Sequence, residues 1–478
     1  MNNLKSLSKY SELTLISSLI LLNFSILTSS YYFQFYGVFP GGVADVAWYY
    51  YWTMQSFIKY GGIPSEIIIA PHGLFLLGSA FHSLTNASTL FILKYFFPFL
   101  FSLEIIGVYL VVRSITNTKI APVLASLYIS LSPAQFHLAE FHFYKMMFAQ
   151  SLFMFFVFVC ISWIKKLNHK YLIIAILLFF FTYITHRSEA LLMFIFLMFA
   201  MSAYWYNRDK RKYPIPIIFL FIFILYIVIA SKYEVLRIGG EFQWSALLGT
   251  WKNDGMFKTS LNQYFFDPEL SNFPAPLFAL IVPFIVFRKQ RLQLLVLIQI
   301  LFIFLFLNSA LELIFYKRYI SDLDLFTAIN IGILINFIID FLEKKSLDKA
   351  KEIAIISFTI LIIAPIATTG IQEQSKINHE NDINYNELSA YIYLKGNNGT
   401  IFTDSNTAHA SWAHAITEMD TATMAISKNR DLANRIYLGY EENQNAFEKP
   451  YYFIYYDYPR HKAIKIFDNG GVEVWKAN

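Results

Sequence analysis

Asp45 is the first acid after a long apolar run, in Phe39-Pro-Gly-Gly-Val-Ala-Asp45-Val-Ala-Trp-Tyr-Tyr-Tyr-Trp52. Tryptophan and tyrosine gather where a bilayer meets water. The sequence predicts an interfacial helix over Val43 to Ile58, with Asp45 near its start, where the helix dipole favours an ionised carboxylate. An ionised carboxylate at the headgroup plane can take a proton from a hydroxyl, so Asp45 is the candidate general base.

Three further groups could bind substrate. His137, Glu140, His142 and Lys145 lie in Ser132-Pro-Ala-Gln-Phe-His-Leu-Ala-Glu-Phe-His-Phe-Tyr-Lys145. On a helix His137 shares a face with Glu140, and His142 with Lys145. Such a set suits sugar hydroxyls, a phosphate or a metal, although its spacing is not that of a zinc centre. His186, Arg187 and Glu189 sit at a tight turn between two apolar runs. Each charge left in lipid there would cost about 2.5–3.5 kcal/mol. They must therefore face water or the protein interior, and Arg187 pairing with Glu189 or a neighbour is the simplest structural account. The last group is Glu312, Lys317, Arg318, Tyr319, Asp322 and Asp324. Arg318 could grip a phosphate through its paired N–H donors, with Lys317 beside it; an Arg318–Asp322 pair is the structural alternative. His72, in Pro71-His72-Gly73, joins the candidate binding residues, and Glu104 is an isolated acid inside an apolar run.

The elements that must position these residues are membrane helices. Of 478 residues, 56% are hydrophobic and 15% charged, against roughly 25% charged in soluble domains. The net charge of +5 comes from short loops between apolar runs, which gives no case for nucleic acid. One cysteine, Cys160, excludes a disulfide framework and a thiolate metal site. Apolar runs occur at 12–34, 66–84, 88–112, 119–132, 146–164, 171–185, 189–206, 214–231, 274–287, 291–308, 320–340 and 352–369. The first has no small-residue cleavage site and reads as a retained span.

Lysine and arginine cluster at Lys5/Lys9, Arg113/Lys119, Lys165/Lys166/Lys170, Arg208 to Lys212, Arg288 to Arg291 and Lys344 to Lys351. The positive-inside rule places all of these in the cytoplasm only if 66–84 does not cross. About eleven spans follow, with the N-terminus inside and the C-terminus outside. Every candidate group above then falls at the outer face. The sequons Asn86-Ala-Ser88 and Asn398-Gly-Thr400 also fall there.

After residue 369 the composition turns polar. A helix is predicted over 386–395, and strands at 400–403, 451–456, 463–467 and 472–475. Asp468-Asn-Gly-Gly471 has hairpin turn chemistry. The chain divides into a transmembrane domain, 1–369, and a small extracytoplasmic α/β domain, 370–478.

The order of these parts resembles the GT-C superfamily of integral-membrane glycosyltransferases. A first span is followed by an outer loop with an early acid (Asp45), a surface helix to Lys59, then Gly61-Gly-Ile-Pro64 and Ala70-Pro-His-Gly73. Next come a span ending in Arg113 and a short one ending in Ser132-Pro133, then a late Arg318-Tyr319. The resemblance implies a multi-pass enzyme that takes sugars from polyprenyl-phosphate carriers, with Asp45 as base and Arg318 on the leaving phosphate. Many members carry a second acid beside the first, whereas Val46 and Ala47 follow Asp45 here. A divalent cation, Mg or Mn, stays an open expectation, and no other cofactor is implied. The oligosaccharyltransferase branch has Trp-Trp-Asp in its outer domain; this chain has Ser411-Trp412-Ala413-His414.

The function expected is inverting transfer of a hexosyl or pentosyl unit to a glycan, lipid or protein acceptor outside the cytoplasm, among membrane lipids. A lipid-linked glycan polymerase or ligase is the near alternative. A flippase or transporter is the distant one, and it calls for paired broken helices that the sequence does not display.

Overall fold

The computed structural model describes residues 9–33, 50–60, 72–140, 144–208, 261, 264, 274–288, 293–310, 319–375, 385–403, 407–422, 449–455, 463–470 and 472–477. The chain forms two compact units. The first comprises Met1–Leu27, Ile69–Leu74 and Phe97–Lys376, and the second Thr28–Ile68, Phe75–Phe96 and Ile377–Asn478.

The helices in chain order are α1 (Lys9–Phe33), α2 (Thr53–Tyr60), α3 (Gly73–Thr85), α4 (Thr89–Ile115), α5 (Ile120–Ser130), α6 (Pro133–Glu140), α7 (Tyr144–Lys166) and α8 (His169–Thr185). They continue with α9 (Arg187–Arg208), α10 (Ala275–Arg288), α11 (Gln293–Ala310), α12 (Tyr319–Lys344), α13 (Asp348–Phe358) and α14 (Ala364–Ser375). Without water to satisfy backbone groups, long apolar runs can only close their hydrogen bonds internally, as helices. Among the described residues, five stretches are long and apolar enough to cross a membrane: Ser11–Thr28, α4, α7, α12 and Lys349–Thr369. Shorter apolar helices include α3, α5, α8 and α11. α3, with 13 residues, is about 20 Å long, short of the ~30 Å hydrocarbon layer. The run 214–231 lies outside the described residues.

In the first unit α7 and α12 are the inner helices, with 89% and 72% of their apolar windows buried, against 22% for Ser11–Thr28 and 18% for Lys349–Thr369. α7 packs on α4, α8 and α9, and α12 on α5, α10 and α11. Small residues allow the close crossings. A β-carbon at Gly107 would lie 2.5 Å from Met154 Cβ, and one at Gly332 2.7 Å from Val112 Cγ1.

Polar stitches fix the register. Asn23 of α1 donates to the Ser130 carbonyl at 3.0 Å and accepts from Ser102 Oγ at 2.9 Å. Asn336 accepts from the backbone N–H of Asn117 and Thr118, at 3.0 and 3.1 Å. Lys119 pairs with Glu12 at 2.8 Å, and Lys165 donates to the Ser114 carbonyl. These contacts gather the start of α1, the α4–α5 loop and the end of α7 at one end of the bundle. Those are segments that the charge rule assigns to one side.

The second unit holds a five-stranded sheet in the order β2-β1-β3-β5-β4. Its strands are β1 (Thr400–Phe402), β2 (Asp420–Ala422), β3 (Tyr451–Tyr455), β4 (Ile464–Asp468) and β5 (Glu473–Ala477), with helices α15 (Tyr385–Leu394) and α16 (Thr407–Thr417). β1 runs parallel to β2 and β3, while β5 is antiparallel to β3 and β4. α16 makes the crossover between β1 and β2. The β4–β5 turn places Gly470 at φ 81°, which a glycine adopts without steric cost. Asp468 Oδ1 accepts the Gly470 N–H there at 2.9 Å.

Residues 50–58 are the described part of the expected interfacial helix. Tyr50 and Tyr51 are buried. Tyr51 packs on the fully buried ring of Trp412, with centroids 5.4 Å apart. Gln55 bonds Thr89 Oγ1 at 2.7 Å, and Lys59 pairs with Glu418 at 3.0 Å. A face rich in aromatics suits a headgroup layer and a protein core equally, and here the core took it.

Candidate functional site

Buried polar side chains of the first unit converge where α5 ends, α7, α9 and α12 begin, and α6 lies between. Asp324, fully buried on α12, accepts four hydrogen bonds. Tyr128 and Tyr264 hydroxyls reach Oδ1 at 2.7 and 2.9 Å. Ser132 Oγ and Gln135 Nε2 reach Oδ2 at 2.7 and 3.3 Å. Tyr319 anchors the same turn by donating to the Ser188 carbonyl at 3.1 Å. Glu104 is not alone in the membrane core: Asp324 and Asp322 are the charges that bear on it.

At the α8–α9 turn, His186 caps α8 through its N–H on the Thr182 carbonyl at 2.7 Å. Its imidazole Nδ1 pairs with Glu189 Oε2, and Ser188 Oγ lies 2.8 Å from the same Nδ1. The partner of Glu189 is thus His186 in place of the expected Arg187. Three-residue spacing at the helix start brings 186 and 189 onto one face, whereas 187 and 189 point apart. Arg187 keeps a buried Nε with no hydrogen-bond partner.

His72 belongs to the same place. A β-carbon on Gly73 would lie 2.2 Å from Thr185 Oγ1, so only glycine lets the chain approach the end of α8 this closely. His72 is half-buried, and burial, followed by the positive charges of Lys145 and Arg187, holds its imidazole below the usual value of 6.5. Lys145 and Arg187, from two other stretches of sequence, therefore both bear on His72. A neutral imidazole, an ammonium and a guanidinium in one place form a site for an anion with hydrogen-bond-accepting oxygens.

The remaining candidates stand as follows. His137 and Glu140 lie on α6. Asp45, His142, Lys317 and Arg318 lie outside the described residues. Among the described residues, no group of three or more His, Cys, Asp or Glu is placed to hold a metal, so no chemical step is routed through one. The sequence reading overlooked Gln135, Gln150, Tyr128 and Tyr264. The available signal was an amide or a phenol at the end of an apolar run, where nothing apolar requires it.

No family model and no curated protein matches the sequence. Solved structures do match. The archaeal oligosaccharyltransferase AglB from Archaeoglobus fulgidus, in complex with an inhibitory peptide and a dolichol-phosphate, aligns at a TM-score of 0.58 and 14% identity over 86% of this chain. The apo form of the Archaeoglobus fulgidus oligosaccharyltransferase aligns at 0.53 and 13% over 94%. The fold is similar to that of these archaeal oligosaccharyltransferase structures. This chain spans 64% of the length of the first structure and 70% of the second. At such identity the likeness speaks to the fold alone.

Proposed function

We propose that this chain is a membrane glycosyltransferase moving a sugar from a polyprenyl-phosphate-linked donor to an acceptor on the extracytoplasmic face. It would cross the bilayer about eleven times, with residues 1–369 as the membrane domain and 370–478 outside. The observation that carries this reading is the His72, Lys145 and Arg187 group, set in a fold shared with a protein solved with dolichol-phosphate.

In this mechanism the Asp45 carboxylate takes the proton from an acceptor hydroxyl. The acceptor oxygen attacks the anomeric carbon from the face opposite the phosphate. The carbon–oxygen bond to the phosphate breaks, and its electron pair leaves on the phosphate oxygen, inverting the anomeric centre. Lys145 and Arg187, with Lys317 and Arg318, stabilise that charge where it develops. His137, Glu140, His142 and His186 contribute polar contacts to the sugar side. The acceptor is a glycan, a lipid or a protein. Transfer to asparagine by a Trp-Trp-Asp-like motif is not part of the proposal, because Trp412 is enclosed in the second unit.

The test is Asp45→Asn, which keeps shape and removes basicity. A positioned base contributes about 10²–10⁴-fold, roughly 3–5.5 kcal/mol of barrier. The variant should insert, bind a polyprenyl-phosphate sugar as the wild type does, and lose transfer by that factor. An unchanged rate would move the base elsewhere.

A further inference from the structure

Asp322, two residues before Asp324, is just as buried but poorly served by donors. Among the described residues its Oδ1 receives one long bond, 3.3 Å from Gln150 Nε2, and its Oδ2 receives none. Two carboxamide oxygens share that condition: Gln150 Oε1 on α7 and Gln135 Oε1 on α6, both buried and without a donor. Their nitrogens are committed to the same turn of α12. Gln150 Nε2 reaches Ser321 Oγ at 2.8 Å, and Gln135 Nε2 reaches the Ser321 carbonyl at 3.0 Å. Both side chains are thereby anchored at the Ser321–Asp322 turn. A second carboxylate, Glu189 of α9, fully buried, is the charge that bears on Asp322.

Every buried acceptor without a donor costs about 1–3 kcal/mol, and a charged one more. Three at one turn, beside a carboxylate whose Oε2 already pairs with His186, make a group rich in oxygen acceptors. Asp322, Gln135 and Gln150 are at most 1% exposed, which is too enclosed for a sugar or a phosphate and suits a single ion. The atoms on offer are carboxylate and carboxamide oxygens, the ligand set of a hard cation. Two carboxylates balance a divalent charge.

We propose that Asp322, Glu189, Gln150 and Gln135 hold a hard divalent cation of the Mg²⁺, Mn²⁺ or Ca²⁺ class, fastening α6, α7 and α9 to the start of α12. The site does not involve Asp45 and meets the proposed function only where Glu189 pairs with His186. Full-length protein in detergent, stripped with chelator and desalted, is titrated with Mn²⁺ while the EPR signal of the free ion is followed. Thermal unfolding is measured with Mg²⁺, Mn²⁺ and Ca²⁺ in parallel. A single tightly bound Mn²⁺ and a raised unfolding temperature are expected, both retained in Asp45→Asn. Asp322→Asn should weaken binding at least about tenfold. Where Asp322→Asn does not fold, Gln150→Met is read in its place, since it keeps both carboxylates and the side-chain bulk. Wild-type Mn²⁺ affinity in these variants, or loss of the ion on Asp45→Asn, overturns the proposal. A wild type that binds no Mn²⁺ and ignores all three ions also overturns it, leaving Asp322 and Glu189 to share a proton.

Discussion

Tyr128 donates to Asp324 Oδ1 at 2.7 Å across 196 residues of sequence, tying the end of α5 to the start of α12. With Tyr264, Ser132 and Gln135 completing the shell, a carboxylate inside an apolar bundle regains the hydrogen bonds it would have in water. Asp324→Leu would take an acceptor from four buried donors, of which Tyr264 and Gln135 keep Thr327 Oγ1 and the Ser321 carbonyl, and each donor left without one costs about 1–3 kcal/mol. We expect that variant to be lost from membranes. Asp324→Asn should insert with a lower unfolding temperature, because its amide NH₂ meets hydroxyls that now donate. An Asp324→Leu protein with wild-type yield and unfolding temperature would remove Asp324 from the framework.

In the second unit Trp412 fills the core between α16 and Tyr51. Trp412→Ala should destabilise that unit by about 3–5 kcal/mol, while Trp412→Phe keeps most of the contact. Limited proteolysis of the membrane-embedded protein checks this: the alanine variant should lose the 385–477 region to protease first. Equal resistance of all three proteins would mean the ring is dispensable.

Much of this architecture is legible from hydropathy and turn chemistry. Runs such as 146–164 became α7, and Ala463 to Trp475 became a hairpin about Asp468–Gly471, because each signal is local. The pairing of side chains was not legible. Gln135 and Gln150 look like interruptions of apolar runs, and only the packing of α6 and α7 on α12 brings them to Ser321. Asp322 and Asp324 are equivalent in sequence, and what separates them is donors supplied from residues as remote as Tyr128. Of the partners open at the α8–α9 turn, Glu189 took His186, because the i, i+3 spacing favours it.

The loop charges assign a membrane sidedness that labelling at exposed positions tests. Cys160 is buried, so background labelling should be low. Cysteines replacing Thr85 and Asn397 should react with an impermeant maleimide on sealed cells, and ones replacing Lys170 and Ser346 should react only after lysis. Labelling at Ser346 in sealed cells would invert the topology and with it the proposed face of transfer.

His72 gives the anion site a pH signature. Its imidazole lies below 6.5, through burial and the charges of Lys145 and Arg187. A bound phosphate opposes those charges and raises the imidazole. Binding therefore takes up a proton, and affinity rises as pH falls through the window just below 6.5. Without ligand the sign reverses: the unfolded chain protonates first, so stability declines over the same window. Affinity for a polyprenyl phosphodiester, which does not itself titrate there, should tighten between about pH 7.5 and 5.5 in the wild type. It should stay flat in His72→Gln. A flat wild-type profile would separate His72 from the phosphate.

Arg187 is the sharpest test of that site. Its Nε is buried and no protein acceptor meets it, while the carboxylate two residues on is occupied by His186. A guanidinium left in this state is poised for an oxyanion, and a charge-assisted hydrogen bond is worth about 1.5–3 kcal/mol. Arg187→Ala should therefore weaken phosphodiester binding by roughly 10- to 100-fold. Arg187→Lys keeps the charge but not the planar fork and should fall between. Thermal unfolding of the ligand-free protein should barely move, because no partner of Nε is lost. If affinity holds in Arg187→Ala, or falls only together with the unfolding temperature, Arg187 braces the α8–α9 turn and the phosphate lies elsewhere.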